Sequence, residues 1–124
     1  MKNKAIKIKD LVLASESYPV KEHVLDNKNC SYDYYVEFKD SKHTGGTIIL
    51  DVYFDCDAFY LLIGVENDSS GQKKKLAKIL EDNKLAHHQS SLYDTYFQLE
   101  KFEVFERESV IADKFKMLLN VVMK

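Results

Sequence analysis

At 124 residues the chain has the length of one domain, and with 45% hydrophobic and 31% charged residues it can close a core without a metal or disulfide staple. One proline and four glycines exclude a linker-like or low-complexity chain. No apolar run approaches the roughly 18 residues a membrane helix needs, and none follows Lys2, Lys4, Lys7 and Lys9 as a signal peptide requires. A cytoplasmic protein is the expectation, and Met1 with a compact final helix reads as a complete chain.

The net charge of −2 is unevenly spread: residues 1–25 carry +2, 26–68 carry −6, 69–84 carry +3 and 85–124 carry −1. One short basic segment is not the cationic face of a strong nucleic-acid binder. Contact with nucleic acid is left open but is not indicated.

Along the chain, residues 5–18 fit both a strand and a helical stripe of Leu11, Ala14, Ser15 and Tyr18. A helix in two pieces is the reading preferred, with Pro19 opening the second piece, PVKEHVLDN, where its missing N–H does no harm. Residues 32–39 alternate Tyr32, Tyr34, Val36 and Phe38 against Asp33, Tyr35, Glu37 and Lys39, the period of a strand with one apolar face. Asp40–Gly46 supplies a turn. Residues 47–54 and 58–66 are almost continuously apolar, which predicts strands covered on both faces, and Asp55-Cys56-Asp57 is short enough only for an antiparallel hairpin.

Ser69-x-x-Gln72 is a capping-box pattern, so a helix is expected to start there, with Leu76, Ile79 and Leu80 inward and Lys73, Lys74, Lys75 and Lys78 in water. The polar stretch Glu81–Ser91 ends it. Residues 93–105 read as a last long strand, and 109–123 as a helix with Ile111, Phe115, Leu118, Leu119 and Val122 on one stripe. The expected fold is therefore a single α+β domain over residues 1–124, in the order α-β-β-β-α-β-α, with a four-stranded, mainly antiparallel sheet packed by helices.

The first six elements resemble in their order the PD-(D/E)xK nuclease core, and all seven resemble the layout of class I secretion chaperones, which have an extra strand. No sequence motif accompanies either resemblance. A nuclease site would need an acid on one central strand and (Asp/Glu)-x-Lys on the next, converging on Mg²⁺. The nearest candidates are Asp51 and Glu66, but Asp68 stands where the lysine belongs. The hairpin register expected from the turn sets Asp51 opposite Leu61, which leaves Glu66 about 16 Å farther along at about 3.3 Å per residue.

Other candidate chemistry is sparse. Cys30 and Cys56 form no metal or disulfide spacing, and neither has a neighbouring base to activate a thiolate. Adjacent histidines such as His87-His88 point to opposite sides of an extended chain, so with His23 and His43 they read as solvated loop residues. Gly45-Gly46 and Gly71 read as turn and cap glycines rather than a phosphate cradle. No catalytic residue, metal or cofactor is assigned.

Two features remain. Lys73-Lys74-Lys75 opens a helix at the positive end of its dipole, a mild misplacement that suits contact with an acidic partner. The chain has eight tyrosines and seven phenylalanines; Tyr32, Tyr34 and Tyr35 crowd one strand and Tyr93, Tyr96 and Phe97 another, and tyrosine is favoured at contact surfaces. The expectation is a non-catalytic protein-binding module (an inhibitor, immunity protein, adaptor or chaperone) that binds a protein partner or itself. Its contact residues would be Tyr32, Tyr34, Tyr35, Glu37, Lys73, Lys74, Lys75, Tyr93 and Tyr96. The alternative is a nuclease-like core, degenerate or acting on nucleic acid.

Overall fold

The computed structural model describes residues 2–13, 21–26, 32–40, 44, 46–54, 58–91, 93–103 and 105–123. Its elements run α1 (Lys2–Leu13), β1 (Lys21–Asp26), β2 (Tyr32–Asp40), β3 (Gly46–Phe54), β4 (Ala58–Val65), α2 (Gln72–Asp82), β5 (His88–Gln89), β6 (Tyr96–Glu103) and α3 (Glu108–Met123). The strands form one sheet in the order β1-β2-β3-β4-β6-β5, every neighbouring pair antiparallel. The fold is α+β, as the residue pattern predicts. The four expected strands are the middle of the sheet, and β1 and β5 extend it at either side.

Strand alternation divides the central residues between two faces. Ile48, Leu50, Val52 and Phe54 of β3 and Phe59, Leu61, Ile63 and Val65 of β4 point to one face, where Phe97 and Phe102 of β6 join them. Against this face pack Ile8 of α1, Leu76 and Leu80 of α2, and Ile111, Ala112, Phe115, Leu118 and Leu119 of α3. Among the described residues all three helices lie on this side. Each large side chain buried there contributes about 1.5–3 kcal/mol of transfer free energy. α1 and α3 also pack on each other. At the first turn of α3, the Glu108 carboxyl is held below its ordinary value of 4.5 by a hydrogen bond to its own backbone, with Lys7 and Lys4 of α1 adding attraction.

The second face carries Ile49, Asp51, Ala58 and Leu62, all buried, flanked by half-buried Tyr35, Glu37, Tyr53, Tyr60 and Tyr96. Both faces of β3 and β4 are thus buried, as their continuous apolar runs predict. The register sets Glu37, Ile49, Gly64 and Tyr96 in one row across four strands. Gly64 belongs there because the Tyr96 ring occupies the space of its side chain. A methyl group built on it would lie 2.4 Å from Cδ1 and 2.5 Å from Cγ of that ring, and 2.9 Å from the Thr95 carbonyl. An aromatic ring laid over a strand glycine restores the packing the glycine lacks.

Several details differ from the sequence reading. The second helical piece expected to open at Pro19 is instead strand β1, which pairs with β2 from Lys21↔Glu37 to Asp26↔Tyr32. Six residues are too few for a helix to hold alone, since isolated helices below about 12–15 residues are marginal, whereas the free edge of β2 offers a full ladder. Asp51 pairs with Leu62, one residue on from the expected Leu61. The connecting turn at 55–57 lies outside the described residues, as do Pro19, Cys30, His43 and Gly45. The last strand starts at Tyr96 rather than at 93, because Asp94 and Thr95 form a turn whose Tyr93 carbonyl accepts the Tyr96 N–H at 3.3 Å.

Candidate functional site

The turn after β4 is tied by its own side chains. Asn67 Oδ1 accepts the Ser69 N–H at 2.6 Å, and Asp68 Oδ1 accepts the Lys73 N–H at 2.8 Å. The chain enters α2 through Gly71 in the left-handed conformation, at φ 75°. This is not the expected capping box. Ser69 does not cap the helix; the Gln72 Oε1 accepts the Ser70 N–H at 2.8 Å, and the Asp68 carboxylate stands in as the cap. The reason is local: the left-handed Gly71 turns the chain between Ser69 and the first helical N–H groups, so the upstream carboxylate reaches them instead. No acidic residue lies in the first turn of α2, so Asp68 is also the nearest negative charge to balance the dipole and the lysines.

Three lysines leave this turn in different environments. Lys74 and Lys75 are exposed, while Lys73 is half-buried. Its Nζ donates to Gln89 Oε1 on β5 and lies 5.4 Å from the centroid of the Phe97 ring, a cation–π contact. Gln89 in turn organises the loop between β5 and β6. Its amide nitrogen donates toward the carbonyls of Ser90, Tyr93, Asp94 and Tyr96, all at 3.1–3.2 Å. Two amide protons are shared among four acceptors, which holds the loop in one shape. The Tyr93 and Tyr96 rings lie 4.8 Å apart between centroids, tilted by 42°, with Tyr93 43% exposed. On the helix side of the sheet a groove of about 340 Å³ is lined by Asp68, Gly71, Lys73, Lys74, Ala77 and Phe97.

No family model, curated protein or solved structure matches this chain. What the corner can do is therefore argued from its own chemistry. It presents one held ammonium group, Lys73, two exposed lysines, a tilted tyrosine pair and an aromatic floor.

Of the nine expected contact residues, Lys73, Lys74 and Lys75 share the turn into α2, and Tyr93 lies against Tyr96 on the opposite face of the sheet; Gln89 links the two groups, accepting from Lys73 and donating to the Tyr93 and Tyr96 carbonyls. Tyr35 and Glu37 stand apart on the second face of the sheet, where Glu37 shares a row with Tyr96 but is three strands away. That is about 14 Å at 4.8 Å per strand. Tyr32 and Tyr34 pair in register with Phe54 and Val52, and their side chains lie outside the described residues. Gln89, Phe97 and Asp68 complete the corner and were not legible as such. Gln89 sits in a polar stretch that reads as a loop, and nothing in its spacing points at four carbonyls.

The other candidates resolve as follows. Asp51 is buried in the middle of the sheet and Glu66 is exposed beyond its end, four residues past the Leu62 that pairs with Asp51. They stand about 13 Å apart along the strands at 3.3 Å per residue, too far to share a metal ion. Among the described residues no group of three or more His, Cys, Asp or Glu is placed to hold one. His87 is half-buried, with Nδ1 2.8 Å from the Leu85 carbonyl and its ring edge-on to Phe97 at 5.2 Å. His88 is exposed on β5.

Proposed function

We propose that the protein is a non-catalytic protein-binding module whose contact surface is the corner where the lysine turn of α2 meets the tyrosine pair before β6. One observation carries this reading: the side chains that would touch a partner are fixed before it arrives. Lys73 is held between Gln89 and Phe97, and Tyr93 lies against Tyr96 while remaining 43% exposed. Affinity per contact is greatest where large aromatic and cationic groups need no further ordering on binding.

The partner is an acidic protein surface with an apolar or aromatic side chain for the groove. Lys74 and Lys75 supply attraction at the rim, which speeds encounter and is weakened by salt. A photo-crosslinking residue at position 93, in the cell that makes the protein, is expected to trap one dominant partner. Lys74→Glu with Lys75→Glu is expected to abolish that adduct. An adduct pattern at 93 indistinguishable from that at Lys84, an exposed lysine at the far end of α2, would refute the reading.

A further inference from the structure

The sheet is left open along part of β6. β5 pairs only with Gln98 and Phe97, so Leu99–Glu103 have β4 on one side and, among the described residues, no strand on the other. An open edge is a template for another strand. The main-chain groups facing outward follow from the hydrogen bonds at the end of β4. The Val65 N–H bonds the Thr95 carbonyl, and the Glu66 N–H bonds the Thr47 carbonyl on the opposite side. Alternation along β4 then directs the backbone groups of Phe59 to β6, where it pairs with Phe102. Phe102 thus spends its N–H and C=O on β4, and Lys101 and Glu103 aim theirs at the open side.

The side chains along this edge are not those of a solvated strand. Phe102 joins the core under α3, and next to it a groove of about 380 Å³ is lined by Glu100, Phe102, Val110, Asp113, Lys114 and Met117. Among the described residues four large hydrophobic side chains are exposed, and three belong here: Phe105 at 81%, Val110 at 38% and Met117 at 38%. On the second face of the sheet, Lys101 and Glu103 are both exposed, the Lys101 Nζ lying 5.8 Å from the Tyr60 ring centroid.

We propose that this edge pairs with the same edge of a second copy, as an antiparallel β6–β6 contact about a two-fold axis through the two Phe102 residues. Charge selects both the occupant and the register. A two-fold axis perpendicular to a sheet keeps its faces, so facing residues must share a face. Centring the pair on Glu100 or on Lys101 sets like charges opposite each other, a destabilising arrangement. Centring on Phe102 sets Lys101 of each copy opposite Glu103 of the other, twice, and these are the residues whose backbone groups face outward. The Glu103 carbonyl already accepts the Glu106 N–H at 3.0 Å, and a carbonyl has a second lone pair for the partner. On the helix side Val110 and Met117 of the two α3 helices flank the paired Phe102 rings. The result is one continuous sheet across two chains.

This surface is separate from the lysine–tyrosine corner, and the proposal stands whether or not that corner binds. Sedimentation equilibrium of the purified protein is expected to show a monomer–dimer equilibrium below about 100 µM. Lys101→Glu or Glu103→Lys is expected to weaken the dimer about tenfold by turning two attractive pairs into repulsive ones, and the double exchange to restore it. Val110→Glu, on the groove, is expected to weaken it independently of the exchange. All three positions are on the described surface, and circular dichroism verifies that each variant is folded. A protein monomeric throughout that range, a dimer indifferent to the charge reversals, or a double exchange weaker than either single one overturns the proposal.

Discussion

Gly64→Ala tests the packing that joins the candidate site to the sheet. The added methyl would sit 2.4 and 2.5 Å from two ring carbons of Tyr96 and 2.9 Å from the Thr95 carbonyl, inside any real carbon contact. The ring must move by about 1 Å, and it lies against Tyr93 at 4.8 Å; the carbonyl is tied to the Val65 N–H at 3.1 Å. Overpacking of this kind costs about 1–3 kcal/mol, and replacing a strand glycine by alanine returns about 0.5–1 kcal/mol of backbone entropy. The net expectation is a loss of about 1–2 kcal/mol, or about 4–8 °C in Tm for a domain of this size. Most of the clash is with the ring, so in a Tyr96→Ala background the same substitution should cost about 1 kcal/mol less. Urea unfolding followed by circular dichroism on the four members of this cycle measures both numbers. A Gly64→Ala variant as stable as the parent, or an equal cost in the two backgrounds, would refute the claim that the ring fills the glycine's place.

Three further outcomes follow from the same contacts. Lys73→Ala is expected to destabilise by about 0.5–1 kcal/mol, since it removes a bond to Gln89 and a cation–π contact, whereas exposed Lys75→Ala should stay within about 0.5 kcal/mol of the parent in the same unfolding assay. Phe115→Ala, at a fully buried position of α3, is expected to cost about 3–5 kcal/mol, measured by urea unfolding. Glu108 has its folded-state pKa lowered, so its contribution is present above its ordinary value of 4.5 and is lost as pH falls below it; Glu108→Gln should flatten the stability–pH curve in that acid range, read from urea midpoints.

The residue pattern carried the centre of the fold and lost its margins for identifiable reasons. β3 and β4 are legible from their almost continuous apolar runs, β6 from its aromatic residues, and α3 from the helical stripe of its apolar residues. β1 was misread because Lys21–Asp26 has no strong period of its own, and its state is set by the free edge of β2, a partner remote from local propensity. The hairpin register was missed by one residue because a turn's type decides which residues face each other, and composition does not fix that type. β5 is two residues long and exists only because Gln98 and Phe97 offer it a ladder. The lysine run and the tyrosines were visible as unusual residues. That Gln89 links them was not, because its contact with Lys73 spans 16 positions of chain and depends on the two-residue β5.

The packing of α1 on α3 sets a constraint on synthesis. α1 finds its neighbour only when α3 exists, so Ile8 and the helix face of β3 stay wet until α3 has been made. A chain cut short of α3 has a nearly complete sheet with its core face uncovered, the species most apt to pair with its own kind. For such a protein, quality control rests on α3 rather than on the sheet that dominates its structure.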